Sequence, residues 1–118
     1  MDSEQMIINE DNARMINNAK AAGRKVCTVG TSSMKAVETA AIIDNRVKVF
    51  NGWTNKFIFP PYEFAISDAM ITNFHPPLSS MLMQVAAFGG YELIMNAYKY
   101  AIEKKYKFFT YGDAMLII

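Results

Sequence analysis

The stretch Ser67-Asp-Ala-Met-Ile-Thr-Asn-Phe-His-Pro-Pro-Leu-Ser-Ser80 decides how this chain folds, because it joins a strand to a helix through a stiff corner. Ala69 to Ile71 form an apolar run that predicts a short strand. The two prolines end regular structure, since proline cannot donate a backbone hydrogen bond. Ser79 or Ser80 can then cap the next helix. Polar side chains between a strand and a helix are typical of α/β sites, but they also suit a tight corner.

Upstream of this stretch, the pattern alternates between strand and helix. A strand ends at Ile8, and a helix is predicted over 9–22, capped by Asn9 or Asp11 and closed by Gly23. A buried strand over 24–29 leads into Gly30-Thr-Ser-Ser33, and a second helix follows. This order indicates an α/β fold.

Strands and helices are also predicted on either side of the stretch 67–80. Strands over 46–50 and 56–59 are predicted around the turn dipeptide Asn51-Gly52. After the stretch, two helices are separated by Gly89-Gly90, and the second runs to about residue 105. Strands are predicted at 108–109 and 114–118. The last helix is expected to turn an apolar stripe to the core, formed by Ile94, Ala97, Tyr98, Ala101 and Ile102.

Composition fits one small domain. The chain has 118 residues, of which 52% are hydrophobic and 19% are charged. This apolar richness predicts that part of the surface is covered by more chain or by a partner. Cys27 cannot form an internal disulfide and is expected to be a buried small hydrophobe. The sequence shows no signal peptide and no membrane-spanning run, so we expect a soluble cytoplasmic protein that does not contact a membrane.

A net charge of +1 neither demands nor excludes a nucleic-acid partner. The basic residues near the end of the chain could touch phosphates, or they could form a solvated helix face. They are Lys99, Lys104, Lys105 and Lys107.

Three groups of polar residues could carry chemistry. Gly30 to Ser33 offer backbone N–H groups and three hydroxyls to an anionic or polar ligand, or form an ordinary turn with a Ser/Thr cap. His75 could be a general acid or base, or a hydrogen-bonded corner residue. Asp113 could orient or deprotonate a substrate, or make an Asx turn. No Cys/His spacing suggests a metal site.

Several motifs together resemble a known family. These are Gly30-Thr-Ser-Ser33, Ile71-Thr-Asn-Phe-His75 and Phe108-Phe-Thr-Tyr-Gly-Asp-Ala-Met-Leu-Ile117, supported by Gly23-Arg-Lys-Val26 and Ser79-Ser-Met-Leu-Met83. In this order they resemble the C-terminal portion of the S-adenosylmethionine:tRNA ribosyltransferase-isomerases of queuosine biosynthesis. The resemblance extends over essentially the whole chain.

The resemblance implies an unusual transfer reaction. S-adenosylmethionine donates its ribosyl unit to 7-aminomethyl-7-deazaguanine, the wobble base of tRNA. Adenine and methionine leave, and the rearranged sugar gives epoxyqueuosine. The implied partners are tRNA and S-adenosylmethionine, which acts as a co-substrate, and no metal is implied.

The resemblance also implies roles for residues. His75 or Asp113 would supply the base that removes a proton beside the sulfonium. Thr72 and Asn73 would orient the sugar or base. The full set implied for substrate binding is Thr31, Ser32, Ser33, Lys35, Thr72, Asn73, Ser79, Ser80 and Tyr111.

Two departures from the family pattern affect specificity. Family members usually carry Arg at the position of Lys35, and lysine lacks the planar fork that binds a carboxylate or phosphate in two places. Family members also usually carry a basic residue at the position of Leu78. The leucine removes a candidate contact to a tRNA phosphate or to the substrate.

The resemblance implies that residues 1–118 are a single fragment, about the last third of a longer enzyme. The fragment would belong to the main α/β domain, which is barrel-like, and it could associate with itself to cover apolar surface. Three hypotheses follow for its function: the catalytic-domain fragment of a transferase, a non-catalytic nucleoside- or RNA-binding module, and an inactive truncated homologue. The fragment alone is expected to be inactive.

Overall fold

Strands and helices alternate over the first 39 residues of the chain, as the sequence predicted. A computed structural model describes residues 3–77 and 79–118. Its elements are β1 (Glu4–Ile8), α1 (Glu10–Ala21), β2 (Cys27–Val29), α2 (Thr31–Thr39), β3 (Ala41–Ile42), β4 (Arg46–Val47), β5 (Phe50–Thr54), β6 (Ala69–Asn73), α3 (Ser80–Gly89), α4 (Tyr91–Glu103) and β7 (Ala114–Ile117). The α/β class is therefore confirmed.

The largest sheet places the stretch 67–80 at its centre. Its strand order is β2-β6-β7, with β2 parallel to β6 and β7 antiparallel to it. Because β2 and β6 are parallel, their carboxyl ends lie at the same edge of the sheet. The backbone N–H of Gly30 donates to the carbonyl of Ile71 over 2.7 Å, which ties these two ends together.

Two smaller sheets complete the strand pairing. β1 pairs antiparallel with β5, and β3 pairs antiparallel with β4 across a turn at Asp44-Asn45. The described residues form these three separate sheets and no closed barrel.

A buried carboxylate fixes the chain just before β6. Glu38 of α2 is 4% exposed, and its oxygens accept hydrogen bonds from three successive backbone N–H groups. These belong to Ala65 at 2.8 Å, Ile66 at 2.9 Å and Ser67 at 3.0 Å. Charge-assisted bonds of this kind are stronger than neutral ones, so α2 sets where β6 begins.

Two hydrophobic clusters hold the elements together. One lies between the main sheet and the last two helices and contains Met34, Met70, Phe74, Val85, Ile94, Tyr98, Ala101 and Ile117. The other packs α1 and α2 against β1 and contains Met6, Ile8, Ala13, Val37, Ala40, Val47 and Ile66. The predicted stripe of the last helix is confirmed at Ile94, Tyr98 and Ala101, but Ile102 is exposed.

The predicted hairpin at Asn51-Gly52 is wrong. Both residues lie inside β5, where they pair with Ile7 and Met6 of β1. Residues 56–59 form no strand. The reason is that β5 pairs with β1 and not with the segment that follows it. β1 lies more than forty positions earlier in the chain.

The predicted buried strand over 24–29 is shorter and more exposed than expected. It is reduced to β2, and Cys27 is exposed, contrary to prediction. β2 is an edge strand of its sheet, and of its three residues only Thr28 is buried. The predicted strand at 108–109 is also wrong, because Phe109 has a φ of 70°, which belongs to a turn and not to an extended strand.

A group of apolar side chains remains exposed between α4 and β7. A cavity of about 410 Å³ between α4 and β7 is lined by apolar residues that include Leu93, Leu116 and Ile118. Each of these three is more than half exposed. The lysines at 99, 104, 105 and 107 are also exposed. Within the described residues, no helix has both the length and the apolar character needed to cross a membrane.

Candidate functional site

A cavity of about 370 Å³ opens at the carboxyl ends of β2 and β6. We call it the His75 cavity. It brings together six of the side chains that the sequence singled out, which are Thr31, Ser32, Ser33, Thr72, Asn73 and His75. Ala114 also lines the cavity, so all three motifs that resemble the family meet at one place.

Two hydrogen bonds hold His75, one at its ring and one at its backbone. Its Nε2 lies 2.8 Å from Oγ1 of buried Thr72, and its backbone N–H donates to the Tyr98 hydroxyl over 2.8 Å. Burial lowers the pKa of His75 below 6.5, because it disfavours the charged imidazolium. The imidazole is therefore neutral at pH 7, and a neutral imidazole can accept a proton.

Asp113 lies beside this cavity but does not line it. Its Oδ2 accepts a 2.7 Å hydrogen bond from the backbone N–H of Lys107, so the carboxylate closes a turn. Its backbone carbonyl accepts from Nδ2 of Asn73 over 3.2 Å. Asp113 thus positions Asn73 through its backbone carbonyl. Its carboxylate stabilises a turn, which was one of the two roles that the sequence left open.

The first turn of α2 presents its hydroxyls to ligands. Gly30 is the N-cap residue, and its φ of 91° is a value that favours glycine. No side chain caps the helix, so the predicted Ser/Thr cap is wrong. Thr31 and Ser33 line the His75 cavity, and the N-terminus of the helix favours a polar or anionic group there.

A second cavity, of about 460 Å³, adjoins the first. We call it the Glu4 cavity; Thr31 and Ser32 line both. Its other lining residues are Glu4, Lys35, Ser80, Met81 and Gln84. Lys35 and Ser80, two of the predicted binding residues, therefore lie in the neighbouring cavity.

An ion pair occupies the Glu4 cavity. Lys35 Nζ donates to Oε1 of Glu4, and Ser32 Oγ donates to Oε2 over 3.0 Å. The hydrogen bond from Lys35, opposed by burial and aided by Ser32, lowers the pKa of Glu4 below 4.5. Glu4 is therefore a carboxylate at neutral pH.

Glu4 and Gln84 line the Glu4 cavity but were not predicted as site residues. Gln84 is 2% exposed, and its Nε2 donates to the backbone carbonyl of Thr31 over 2.8 Å, which supports the turn between the two cavities. Gln84 carried a usable signal, because it is a polar residue within an otherwise apolar helix. Glu4 carried a weaker one, as an acidic residue at the start of a strand.

The remaining predicted residues lie elsewhere. Ser79 caps α3 by accepting from the N–H of Leu82, and it donates to the carbonyl of Pro76, so its contacts are structural. Tyr111 is 99% exposed and lines neither cavity. Leu78 lies outside the described residues. Across residues 3–77 and 79–118, no group of three or more His, Cys, Asp or Glu side chains is placed to hold a metal ion.

Comparison with known families gives a match along almost the whole chain. The model of a family described as "Queuosine biosynthesis protein" matches residues 1–117. The chain is 59% identical over 118 residues to the S-adenosylmethionine:tRNA ribosyltransferase-isomerase of Parabacteroides distasonis, and 58% identical to that of Phocaeicola vulgatus. All of this chain is covered in both cases, but only 34% of each relative. The chain thus spans about a third of the length of the curated relatives that it matches.

A solved structure shares the fold. The crystal structure of S-adenosylmethionine tRNA ribosyltransferase from Thermotoga maritima superimposes with a TM-score of 0.89 at 39% identity. The match covers 95% of this chain and 39% of that chain.

Proposed function

Because the chain belongs to the queuosine biosynthesis protein family, we propose that it forms part of the active site of an S-adenosylmethionine:tRNA ribosyltransferase-isomerase. One observation carries this proposal. Two motifs distant in sequence, Gly30–Ser33 and Thr72–His75, line one cavity that contains a neutral, hydrogen-bonded imidazole. Polar groups around a potential base at the carboxyl ends of strands are suited to binding and deprotonating a polar substrate.

The proposed reaction begins at the carbon beside the sulfonium of S-adenosylmethionine. A base removes a proton there, adenine departs, and the aminomethyl group of the 7-deazaguanine wobble base of tRNA attacks the ribosyl unit. Rearrangement of the sugar and loss of methionine give epoxyqueuosine. S-adenosylmethionine is the co-substrate, the reaction needs no metal, and a tRNA substrate implies a cytoplasmic location.

Geometry favours His75 over Asp113 as the base. The imidazole lines the cavity and is uncharged at pH 7, whereas the carboxylate of Asp113 is bound to the N–H of Lys107. Thr72 and Asn73 would then orient the sugar or base. Thr31, Ser32 and Ser33, which line the same cavity, would hold polar groups of the ribose or methionine.

The larger architecture is part of the same proposal. The three sheets would belong to a barrel-like α/β domain of a longer enzyme, since the relatives are about three times as long. Further chain would cover the apolar cavity between α4 and β7, and self-association would cover it when that chain is absent.

A second candidate is a nucleoside- or RNA-binding module without turnover, or an inactive truncated homologue. Its premise is that the matched third of the relatives' length binds a ligand by itself. A site that is missing walls can bind a ligand without reaching the geometry that catalysis requires.

Adenine release separates these candidates. We expect no release when the 118-residue chain alone is incubated with S-adenosylmethionine and precursor-bearing tRNA. We expect release when this chain replaces the matched 118 residues of the Parabacteroides distasonis relative. His75→Ala in that chimera should abolish most of the turnover, whereas Glu92→Ala at an exposed position of α4 should not. A folded chimera that binds both substrates but releases no adenine would favour the non-catalytic candidate.

A further inference from the structure

We propose that the Glu4 cavity binds the zwitterionic amino-acid end of S-adenosylmethionine, with Glu4 as the ligand of its ammonium group. This inference rests on the proposed function and extends it to a residue outside the motifs that resemble the family. Lys35 and the hydroxyl group of Ser80 would face the carboxylate of the same amino acid.

The charges in the cavity match this kind of ligand. A carboxylate and an ammonium group lie side by side among hydroxyl groups. A simple anion would be repelled by Glu4, and a simple cation would be repelled by Lys35. An amino acid carries an ammonium group and a carboxylate on the same carbon, so it can pair with Glu4 and Lys35 at once.

Glu4 retains the capacity to bind a further donor. Lys35 and Ser32 each donate to a different carboxylate oxygen, and each of these oxygens can accept more than one hydrogen bond. The Glu4 side chain is 42% exposed, whereas that of Lys35 is 6% exposed. Buried Lys35 therefore holds the carboxylate in place and ionised, while Glu4 remains accessible from the cavity.

The two cavities are arranged for one ligand that spans both. Thr31 and Ser32 form their shared wall, and His75 lies on the far side of it. In S-adenosylmethionine, two methylene groups separate the amino-acid carbon from the sulfonium. An amino acid in the Glu4 cavity would thus leave the ribosyl carbon beside the sulfonium in the His75 cavity, where the base is required.

Calorimetry with two related nucleosides tests this assignment. S-adenosylhomocysteine carries the amino acid, and methylthioadenosine lacks it while retaining adenosine and sulfur. We expect the 118-residue chain to bind S-adenosylhomocysteine more tightly. Glu4→Gln should weaken that binding about tenfold and leave methylthioadenosine binding unchanged, since a charge-assisted hydrogen bond is lost. Glu10→Gln, at an exposed position of α1, should change neither affinity.

Each other outcome has a defined meaning. Equal weakening of both nucleosides by Glu4→Gln would assign Glu4 a structural role and overturn the inference. Methylthioadenosine binding without a preference for S-adenosylhomocysteine would also overturn it, but would leave the proposed nucleoside site standing. Binding of neither would count against the proposed function itself. If Glu4→Gln does not fold, the Glu4→Gln/Lys35→Met double variant, which leaves no buried charge unpaired, is measured by the same criteria.

Discussion

Thr72 Oγ1 lies 2.8 Å from His75 Nε2, and this contact joins the end of β6 to the proline corner that follows it. Thr72 is 4% exposed and fixed in the sheet, so it fixes the orientation of the imidazole ring. For His75 to act as the base, Nε2–H must donate to the threonine oxygen, because this leaves the lone pair of Nδ1 free to take a proton.

Thr72→Val tests this arrangement. Valine keeps the branched shape but removes the hydroxyl group, so the ring loses its fixed orientation and tautomer. In the active chimera, we expect the rate of adenine release to fall about tenfold with little change in substrate affinity. Thr72→Ser retains the hydroxyl and should stay close to the parent rate. A valine variant as fast as the parent would contradict the role of Thr72.

The buried imidazole of His75 should make stability depend on pH. Burial lowers the pKa of His75 below the unperturbed 6.5, so the unfolded chain takes up this proton at a higher pH than the folded chain. The free energy of unfolding should therefore rise with pH through the window below 6.5 and level off above it. Urea unfolding at several values between about pH 7.5 and pH 5.5 measures this slope.

His75→Gln provides the matched comparison. This variant should lose the slope in that window, whatever its stability at pH 7. Glu4 does not interfere, because its pKa is lowered from 4.5, and its stabilising contribution is lost only as the pH falls further, through its folded value. An unchanged slope in the variant would show that another group titrates in this range.

Local signals predicted much of the fold. Asn9 caps α1 and Ser79 caps α3, as their positions indicated, and Gly23 has the left-handed φ of 73° that ends the first helix. These features depend on a few adjacent residues. The pairing of β5 with β1 does not depend on adjacent residues. It depends on which distant strand forms backbone hydrogen bonds with the segment that contains Asn51 and Gly52.

The same distinction applies to the site. Thr72 and His75 were predicted because polar residues follow a strand directly. Glu4 was missed because its place in the site depends on a hydrogen bond from Lys35, which lies 31 positions later in the chain. Tyr111 was included on the resemblance alone, and its contacts could not be read from sequence, because the turn around it directs the side chain to solvent.

Glu38→Gln should destabilise the start of β6. The amide of glutamine has one acceptor oxygen and a donor group, so it cannot accept from the N–H groups of Ala65, Ile66 and Ser67 together. We expect a loss of about 2 kcal/mol in the free energy of unfolding, measured in urea. Glu63→Gln, at an exposed position nearby, should change it by less than about 0.5 kcal/mol. Similar losses in both variants would indicate a general charge effect.

Gly112→Ala should disturb the segment that supports Asn73. A Cβ atom at Gly112 would lie 2.7 Å from the carbonyl oxygen of Lys107 and 2.8 Å from that of Phe108. These are backbone atoms, so the turn must shift, and with it the carbonyl groups that accept from Asn73 Nδ2. We expect a loss of about 2 kcal/mol in stability, together with broadened Asn73 side-chain NMR signals.

Gly52→Ala in β5 is the matched control for this substitution. Its Cβ atom would meet only the ring of Phe50 at 3.3 Å, and a side chain can move aside more easily than the backbone. The loss in the free energy of unfolding should therefore stay below about 1 kcal/mol, and the Asn73 signals should be unchanged. If Gly112→Ala lowered the free energy of unfolding as little as Gly52→Ala, the turn around Gly112 would be free to relax. That turn could then not be what holds Asn73 against the His75 cavity.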